Sequence, residues 1–197
     1  SAPSPEELED WEQVFSRTFP GAGHRTYGVA TAHGVREDMA AFAAAGLDVD
    51  ASTVMTARSV HGPPRPNQVA TYRVLHDDDD WRQQVDLWLA DPQDGTSEEF
   101  VTAKVEAERH MTQTGAGAWW GAFVDGRLCS SLGLFAASPG LARFQNVQTR
   151  PDARGQGLAG TLVERAGRFG LEELEAETLV MVADPDYHAV RVYRSVG

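Results

Sequence analysis

The sequence predicts a mixed α/β domain, and two observations indicate this class. From residue 68 onward the predicted elements follow the order strand, two helices, three antiparallel strands, helix, strand, helix, which is not a simple alternation of strands and helices. Two of the middle strands flank Asp125-Gly126, a dipeptide typical of a tight β-hairpin. With 197 residues, 42% of them hydrophobic, the protein is long enough to bury one core, or one domain with an appendage.

Residues 1–60 are interpreted as an N-terminal α/β extension. An amphipathic stretch over residues 5–15, a strand over 24–31, an alanine-rich helix over 35–45 and a second strand over 51–58 are predicted there. Residues 61–66 follow, with three prolines in four positions, which excludes regular secondary structure. We therefore expect a proline-rich linker at 61–66, followed by the main domain over residues 67–197.

The main domain contains nine predicted elements. Its strands are expected at residues 68–76, 118–124, 127–135, 142–149 and 178–182, and its helices at 77–90, 97–112 and from 158 to about 170. A last helix follows Pro185. The run of aspartates from Asp77 to Asp80 favours the start of a helix, because carboxylates cap and stabilise helix N-termini, and a metal site is not expected there.

Composition excludes several classes of function. The net charge is −12, which argues against nucleic acid or an anionic membrane as a partner. Cys129 is the only cysteine, so neither an intramolecular disulfide nor a thiolate metal cluster is expected, and the six histidines share no metal-ligand spacing. Without a visible signal peptide or an apolar run of membrane-spanning length, a cytoplasmic protein is the default expectation.

A glycine-rich turn joins the strand over 142–149 to the helix after it. Gly155, Gly157 and Gly160 let main-chain N–H groups approach an anion, and the helix dipole adds positive potential, so the turn predicts phosphate binding. The three glycines also match the G-x-G-x-x-G pattern of dinucleotide-binding folds, which would make the protein a nicotinamide-dependent oxidoreductase. Five residues, 150–154, separate the turn from its strand, and a meander precedes it, which disfavours that alternative.

More of the sequence agrees with a second interpretation. Residues 147–159 resemble the acyl-CoA-binding signature of the GNAT N-acetyltransferase family, whose core is Gln or Arg, two residues of any kind, Gly, any residue, then Gly or Ala. Arg154, Gly157 and Ala159 match it. The predicted order of elements agrees with the family over roughly residues 67–197, and residues 189–197 are similar to its A-x-x-x-Y-x-x-x-G segment.

The resemblance implies an acyl-CoA N-acyltransferase fold with a mixed, mostly antiparallel central sheet, acetyl-CoA as co-substrate and no metal. The pyrophosphate would bind the main chain of Arg154, Gly155, Gln156, Gly157, Leu158 and Ala159. The pantetheine arm would run along Val147, Gln148 and Thr149. Tyr193 matches the family tyrosine that protonates the departing thiolate.

The implied reaction is transfer of the acetyl group to a primary amine by direct attack in a ternary complex. The acceptor would be an amine on a small molecule or a peptide, and a second copy of the protein is a further candidate partner. The general base stays open: the strand before the turn carries Gln145, Asn146 and Gln148, none of them basic. A water molecule, or a more distant group such as Glu106, His110 or Asp186, would have to act as the base. The alternative is a non-catalytic acyl-CoA-binding or regulatory module.

The resemblance also implies a longer domain than this sequence contains. Family members usually continue beyond the position of Gly197 with one or two strands, so residues 67–197 are expected to lack the last strand or strands. Residues 41–55 resemble such a missing tail, with a helix end, a glycine, a loop and a strand. Our hypothesis is that residues 1–60 are the remnant of a second, degenerate unit whose strand lies against the C-terminal domain. An unrelated α/β cap is the alternative.

Overall fold

The computed structural model describes residues 4–29, 39–92, 96–186 and 189–197. The protein forms two compact units, Ser1–Ser52 and Thr53–Gly197. No helix within the described residues is long and apolar enough to cross a membrane.

The first unit contains helices α1 (Pro5–Thr18) and α2 (Ala40–Ala44). A capping box begins α1: the Glu7 N–H donates to Ser4 Oγ at 3.3 Å, and the Ser4 N–H donates to Glu7 Oε2 at 2.6 Å. Trp11 and Tyr27 each pack on Phe42, with ring centroids 6.1 and 6.2 Å away. These aromatic contacts form the core of a small unit.

One prediction in this unit is wrong, and another is confirmed over the described residues. The predicted strand over 24–31 is wrong for residues 24–29, which are irregular, while residues 30 and 31 lie outside the described residues. Alternating apolar residues make a strand only when a partner strand is available, and the described part of this unit contains none. The helix predicted over 35–45 is present as α2, with residues 35–38 outside the described ranges.

The second unit is built on a six-stranded sheet with the strand order β1-β6-β5-β4-β3-β2. The strands are β1 (Thr53–Ala57), β2 (Thr71–Val74), β3 (Gly117–Val124), β4 (Arg127–Ser138), β5 (Leu141–Thr149) and β6 (Thr178–Ala183). The helices are α3 (Asp78–Leu89), α4 (Glu98–Gln113), α5 (Leu158–Glu172) and α6 (Ala189–Arg194). Neighbouring strands are antiparallel except β5 and β6, which confirms the predicted mixed, mostly antiparallel sheet.

Helices cover the sheet, and β4 is buried from Leu128 to Phe135. Helices α3 and α4 contribute Trp81, Leu87 and Val105 to one apolar cluster. Helix α5 contributes Leu158 and Leu162 to another. The predicted hairpin between β3 and β4 is confirmed, because Asp125 and Gly126 both have positive φ, at 49° and 79°.

Strand β1 pairs antiparallel with β6, from Thr53 opposite Ala183 to Ala57 opposite Leu179. The strand predicted over 51–58 is therefore present, and it lies against the C-terminal sheet as the hypothesis expects. It also belongs to the second compact unit, so this unit begins at Thr53, before the predicted linker at 61–66. That segment is irregular, and the His61 N–H donates to Val196 O at 2.7 Å. The origin of residues 1–60 in a repeat stays a prediction.

A charged pair fastens α3 to β2. The Arg73 guanidinium donates to both carboxylate oxygens of Asp80, at 2.5 and 2.7 Å, and the His76 N–H donates to the same carboxylate at 3.0 Å. Burial disfavours the Asp80 carboxylate, but these hydrogen bonds outweigh it and lower the pKa of Asp80. Asp77 accepts from the Asp80 N–H and caps α3, so the aspartate run serves the helix start, as predicted.

We predict that Asp80→Asn lowers the free energy of unfolding by roughly 1.5–3 kcal/mol at pH 7, because hydrogen bonds to a charged group are lost. Since folding depresses the pKa of Asp80, its contribution is present above the ordinary carboxyl pKa and disappears as the pH falls through the folded value. Urea unfolding at pH 7 and below pH ~4 measures both effects. Asp79→Asn, at an exposed carboxylate of the same helix, is the control, and an equal loss in both variants would contradict the assignment.

Candidate functional site

A gap opens between the two parallel strands. Strands β5 and β6 pair over three positions only, Leu141 with Thr178, Ala142 with Leu179 and Arg143 with Val180. Beyond these, β6 continues to Ala183 paired with β1 alone, while β5 continues to Thr149 paired with β4. The edge of β5 that faces the gap therefore offers backbone N–H and C=O groups to an extended ligand.

Strand β5 contains a β-bulge a few residues after the last position at which it pairs with β6. The pairing register between β4 and β5 shifts between Gln145 and Gln148, and Asn146 between them has a φ of 43°. Beyond the bulge, the Gln148 side chain donates to Leu87 O of α3 at 3.2 Å. The bulge therefore sets which groups of β5 face the gap and which face α3.

The predicted glycine turn follows β5. After a single 3₁₀ turn over Pro151–Ala153, Gly155 and Gly157 take left-handed φ values of 75° and 78°. Helix α5 then begins at Leu158, and its first backbone hydrogen bond runs from the Thr161 N–H to Gly157 O at 3.2 Å. The N–H groups of residues 158–160 precede that bond, so they are available to an anion at the helix N-terminus.

Asn67 holds this turn from outside. Its side chain donates to Gln156 O at 3.0 Å, and its backbone N–H donates to Thr161 Oγ1 at 2.9 Å. A Cβ at Gly157 would lie 2.2 Å from Arg65 O, so only glycine fits beneath this segment. Sequence reasoning missed Asn67, because a contact across 94 residues leaves no local pattern.

The Arg154 side chain has structural partners. It donates to Thr149 O at 3.3 Å and forms an ion pair with Asp91, just beyond α3. These contacts connect the turn to the end of β5 and to the far end of α3.

Tyr193 lies on α6 and is half-buried. Its ring packs against the core cluster around α5 and lines a cleft together with Phe144 of β5 and Met181 of β6. Because these two residues come from the diverging strands, Tyr193 lies beside the gap. The structure thus places the tyrosine beside Phe144 of β5 and Met181 of β6.

A second group of polar side chains lies between α3, α4 and the bulge, and we call it the polar niche. It consists of Gln84, Trp88, Lys104, Glu108 and Asn146. Gln84 Nε2 donates to Glu108 Oε2 at 3.0 Å, and only 4% of Glu108 is exposed. Burial raises the pKa of Glu108, although Gln84 and the charge of Lys104 partly oppose that shift.

The base candidates of the sequence analysis lie on the surface. Glu106, His110 and Asp186 are all exposed. Sequence reasoning missed Glu108, although a signal was present: Val101, Val105 and Glu108 are spaced by four and three residues and share one face of α4. A carboxylate on the apolar face of a helix is the pattern that could have identified it.

The model of the acetyltransferase (GNAT) family matches residues 81–197 of this protein. No curated protein matches the sequence. Among solved structures, a tandem GNAT protein from the clavulanic acid biosynthesis pathway is 16% identical, with a TM-score of 0.63 over 96% of this chain and 64% of that one.

Two further structures are similar over about two thirds of this chain. A transcriptional regulator from Bacillus halodurans is 21% identical, with a TM-score of 0.52 over 64% of this chain and 89% of that one. The RimL ribosomal L7/L12 alpha-N-protein acetyltransferase, solved in complex with coenzyme A, is 17% identical, with a TM-score of 0.53 over 66% of this chain and 80% of that one. At these identities the likeness shows the fold.

We predict that Gly157→Ala destabilises the protein more than Gly126→Ala does. Both glycines have nearly the same φ, 78° and 79°. An alanine in this left-handed conformation costs about 1–2 kcal/mol, so both substitutions carry that cost. Only at Gly157 would the new methyl group also collide with Arg65 O. Urea unfolding of the two variants measures the difference, and equal losses would mean that Arg65 does not hold the turn.

Proposed function

The chain belongs to the acetyltransferase (GNAT) family, and we propose that it transfers the acetyl group of acetyl-CoA to a primary amine by direct attack in a ternary complex. The observation that carries this proposal is the unpaired edge of β5 beyond Arg143, in a strand that the glycine turn follows along the chain. An elongated donor with a phosphate group at one end and an extended amide arm fits such an arrangement.

The pyrophosphate of coenzyme A would bind the turn from Arg154 to Ala159. Two left-handed glycines and the first turn of α5 supply N–H groups, and the helix dipole adds positive potential. Backbone groups make this site, and the positive partial charge at the N-terminus of a helix comes from its peptide dipoles, so it is present in a protein whose net charge is −12.

The pantetheine arm would lie along Val147, Gln148 and Thr149. Its two amides would hydrogen-bond to the edge of β5 as another strand would. The backbone carbonyl oxygen of Gln148 already accepts from Ser130 Oγ of β4 at 2.7 Å, which steadies this part of the strand. The thioester would then reach the region of the bulge at Asn146.

The chemistry begins with attack of a neutral amine on the thioester carbonyl carbon. As the tetrahedral intermediate collapses, the C–S bond breaks and its electron pair goes to sulfur. Tyr193 would donate its hydroxyl proton to the departing thiolate, and its place beside Phe144 and Met181 supports this role. A thiolate is a good leaving group, so we expect general acid catalysis by Tyr193 to raise the rate by only about 10²–10⁴-fold.

A non-catalytic acyl-CoA-binding module is the second candidate. One observation favours it: no residue of β5, over positions 141–149, is acidic, so the strand beside the thioester supplies no base. Turnover separates the two candidates, because a module that only binds acyl-CoA would not release thiol in the presence of an amine.

We also propose that residues 1–60 derive from a second GNAT-like unit. The likeness to a tandem GNAT protein over 96% of this chain supports it, as does the pairing of β1 with β6. A crystal structure of the protein tests it: the connection from α2 to β1 should superpose on the last helix and strand of a GNAT domain. A different path of the backbone would contradict a common origin.

We predict that coenzyme A raises the melting temperature of the protein and that NAD does not, because the turn is followed by a gap suited to a pantetheine arm. Thermal unfolding with each ligand at equal concentration measures this. Stabilisation by NAD alone would contradict the proposed donor site and favour the dinucleotide interpretation.

We predict that Tyr193→Phe lowers kcat by about 10²–10⁴-fold, since only the proton donor is removed. Thiol release from acetyl-CoA across a panel of primary amines and peptides provides the measurement. Stabilisation by coenzyme A should be unchanged in the variant, and Tyr27→Phe in the first unit is the control. Tight coenzyme A binding without turnover of any amine would favour the non-catalytic module.

A further inference from the structure

Glu108 is a buried carboxylate whose local partners are incomplete. One carboxylate oxygen accepts from Gln84 at 3.0 Å, while Oε1 has no hydrogen-bond partner among the described residues. The nearest cation, Lys104 Nζ, is 3.9 Å from that oxygen. A charged group held in this state disfavours folding, so its presence calls for a functional explanation.

The unpartnered atoms lie where the two helices meet the bulge. Besides Glu108 Oε1, the side-chain oxygens of Gln84 and Gln148 are buried and lack hydrogen bonds within the described residues. Gln148 is anchored to α3 through Leu87 O, and the Asn146 side chain is near enough to lower the pKa of Glu108. Buried polar atoms of α3, α4 and β5, the Trp88 Nε1–H donor among them, thus lack hydrogen-bond partners within the described residues.

Lys104 shows that an ammonium group fits at the rim of the polar niche. Its Nζ lies 4.8 Å from the Trp88 ring centroid and 3.9 Å from Glu108 Oε1. It is the only lysine in the sequence. The polar niche therefore already accommodates a primary ammonium, beside both an aromatic face and a carboxylate.

We propose that Glu108 is the base that accepts a proton from the ammonium group of the acceptor. This rests on the proposed acetyl transfer. Glu108 Oε1 takes one proton from R–NH₃⁺, which gives the carboxylic acid and a neutral amine. The amine lone pair forms the C–N bond at the thioester carbon, and the C–S bond breaks as described above. The second nitrogen proton passes to solvent as the intermediate collapses, Tyr193 regains from solvent the proton that it gave to sulfur, and Glu108 returns its proton to solvent.

The surroundings of Glu108 suit a base that works near neutral pH. Burial raises its pKa, and a carboxylate with a raised pKa is a stronger base than an exposed one. Gln84, Trp88 and Asn146, on the facing elements, are uncharged, and Lys104 is the one charged group of the polar niche besides Glu108. Its charge lowers the pKa of Glu108 and so sets how basic the carboxylate is.

The first test is Glu108→Gln, with Glu106→Gln as the control at an exposed carboxylate of the same helix. At pH 7 we expect kcat to fall by about 10²–10⁴-fold in Glu108→Gln and by less than about twofold in the control. Stabilisation by coenzyme A should be the same in both, which separates a failed base from a failed donor site. Unchanged kcat in Glu108→Gln would overturn the proposal.

The pH dependence distinguishes a base from a structural carboxylate. In the ternary complex kcat should fall as the pH drops below the pKa of Glu108, and Glu108→Gln should lack this acid limb. Lys104→Met should move the limb to higher pH, because the cation that lowers the pKa is gone. An acid limb that persists in Glu108→Gln, or does not move in Lys104→Met, would overturn the assignment.

Folding gives an independent readout. Because folding raises the pKa of Glu108, the wild type loses stability as the pH rises from the unfolded pKa through the folded one. Glu108→Gln should therefore melt at a higher temperature than the wild type at pH 8, and the difference should shrink towards pH 4. A lower melting temperature of the variant at pH 8 would show that Glu108 stabilises the fold, against the proposal.

Binding of an ammonium can be measured without turnover. Ethylammonium, titrated into the protein saturated with coenzyme A, should shift the indole N–H resonance of Trp88, assigned with Trp88→Phe. The apparent Kd should rise at least tenfold in Glu108→Gln. If no primary amine is turned over and ethylammonium binds without dependence on Glu108, the proposal is wrong even though coenzyme A binds.

Discussion

The structure of the candidate site depends on one constraint: β5 and β6 run parallel but stay paired over only three positions. On either side the strands have other partners, β1 for β6 and β4 for β5, so the sheet remains continuous while its middle opens. The opening gives β5 a free edge. It also places the start of α5, with its glycine turn, where both strands have already separated.

The side chains on the two sides of β5 differ in polarity. The cleft that contains Tyr193 is lined by apolar side chains such as Phe144 and Met181, which suits a thioester arm. The other side, under α3 and α4, holds the polar niche with Glu108. The bulge at Asn146 lies between them, and the Arg73–Asp80 pair holds α3 in place over the niche. An amine acceptor that enters from the side of the polar niche would meet acetyl-CoA lying on the side of Tyr193.

Local patterns predicted much of this architecture. The glycine turn, the hairpin at Asp125-Gly126 and the capped start of α3 depend on neighbouring residues, so the sequence alone indicates them. The sequence also predicted strand β1, because its pattern of residues is local. The strand expected over 24–31 was wrong for residues 24–29, because alternation cannot reveal whether a partner strand exists. Asn67 and Glu108 act through contacts between distant segments, and the exposed candidates Glu106 and His110 could not be told apart from Glu108 without the packing of α3 on α4.

The most direct test of the account is a crystal structure of the protein with coenzyme A bound. We expect the pyrophosphate to lie within hydrogen-bonding distance of backbone N–H groups between Arg154 and Ala159. We also expect the pantetheine amides to pair with Val147–Thr149, and the sulfur to lie between Tyr193 and the bulge. Coenzyme A bound elsewhere, or a gap between β5 and β6 closed by the protein itself, would contradict it.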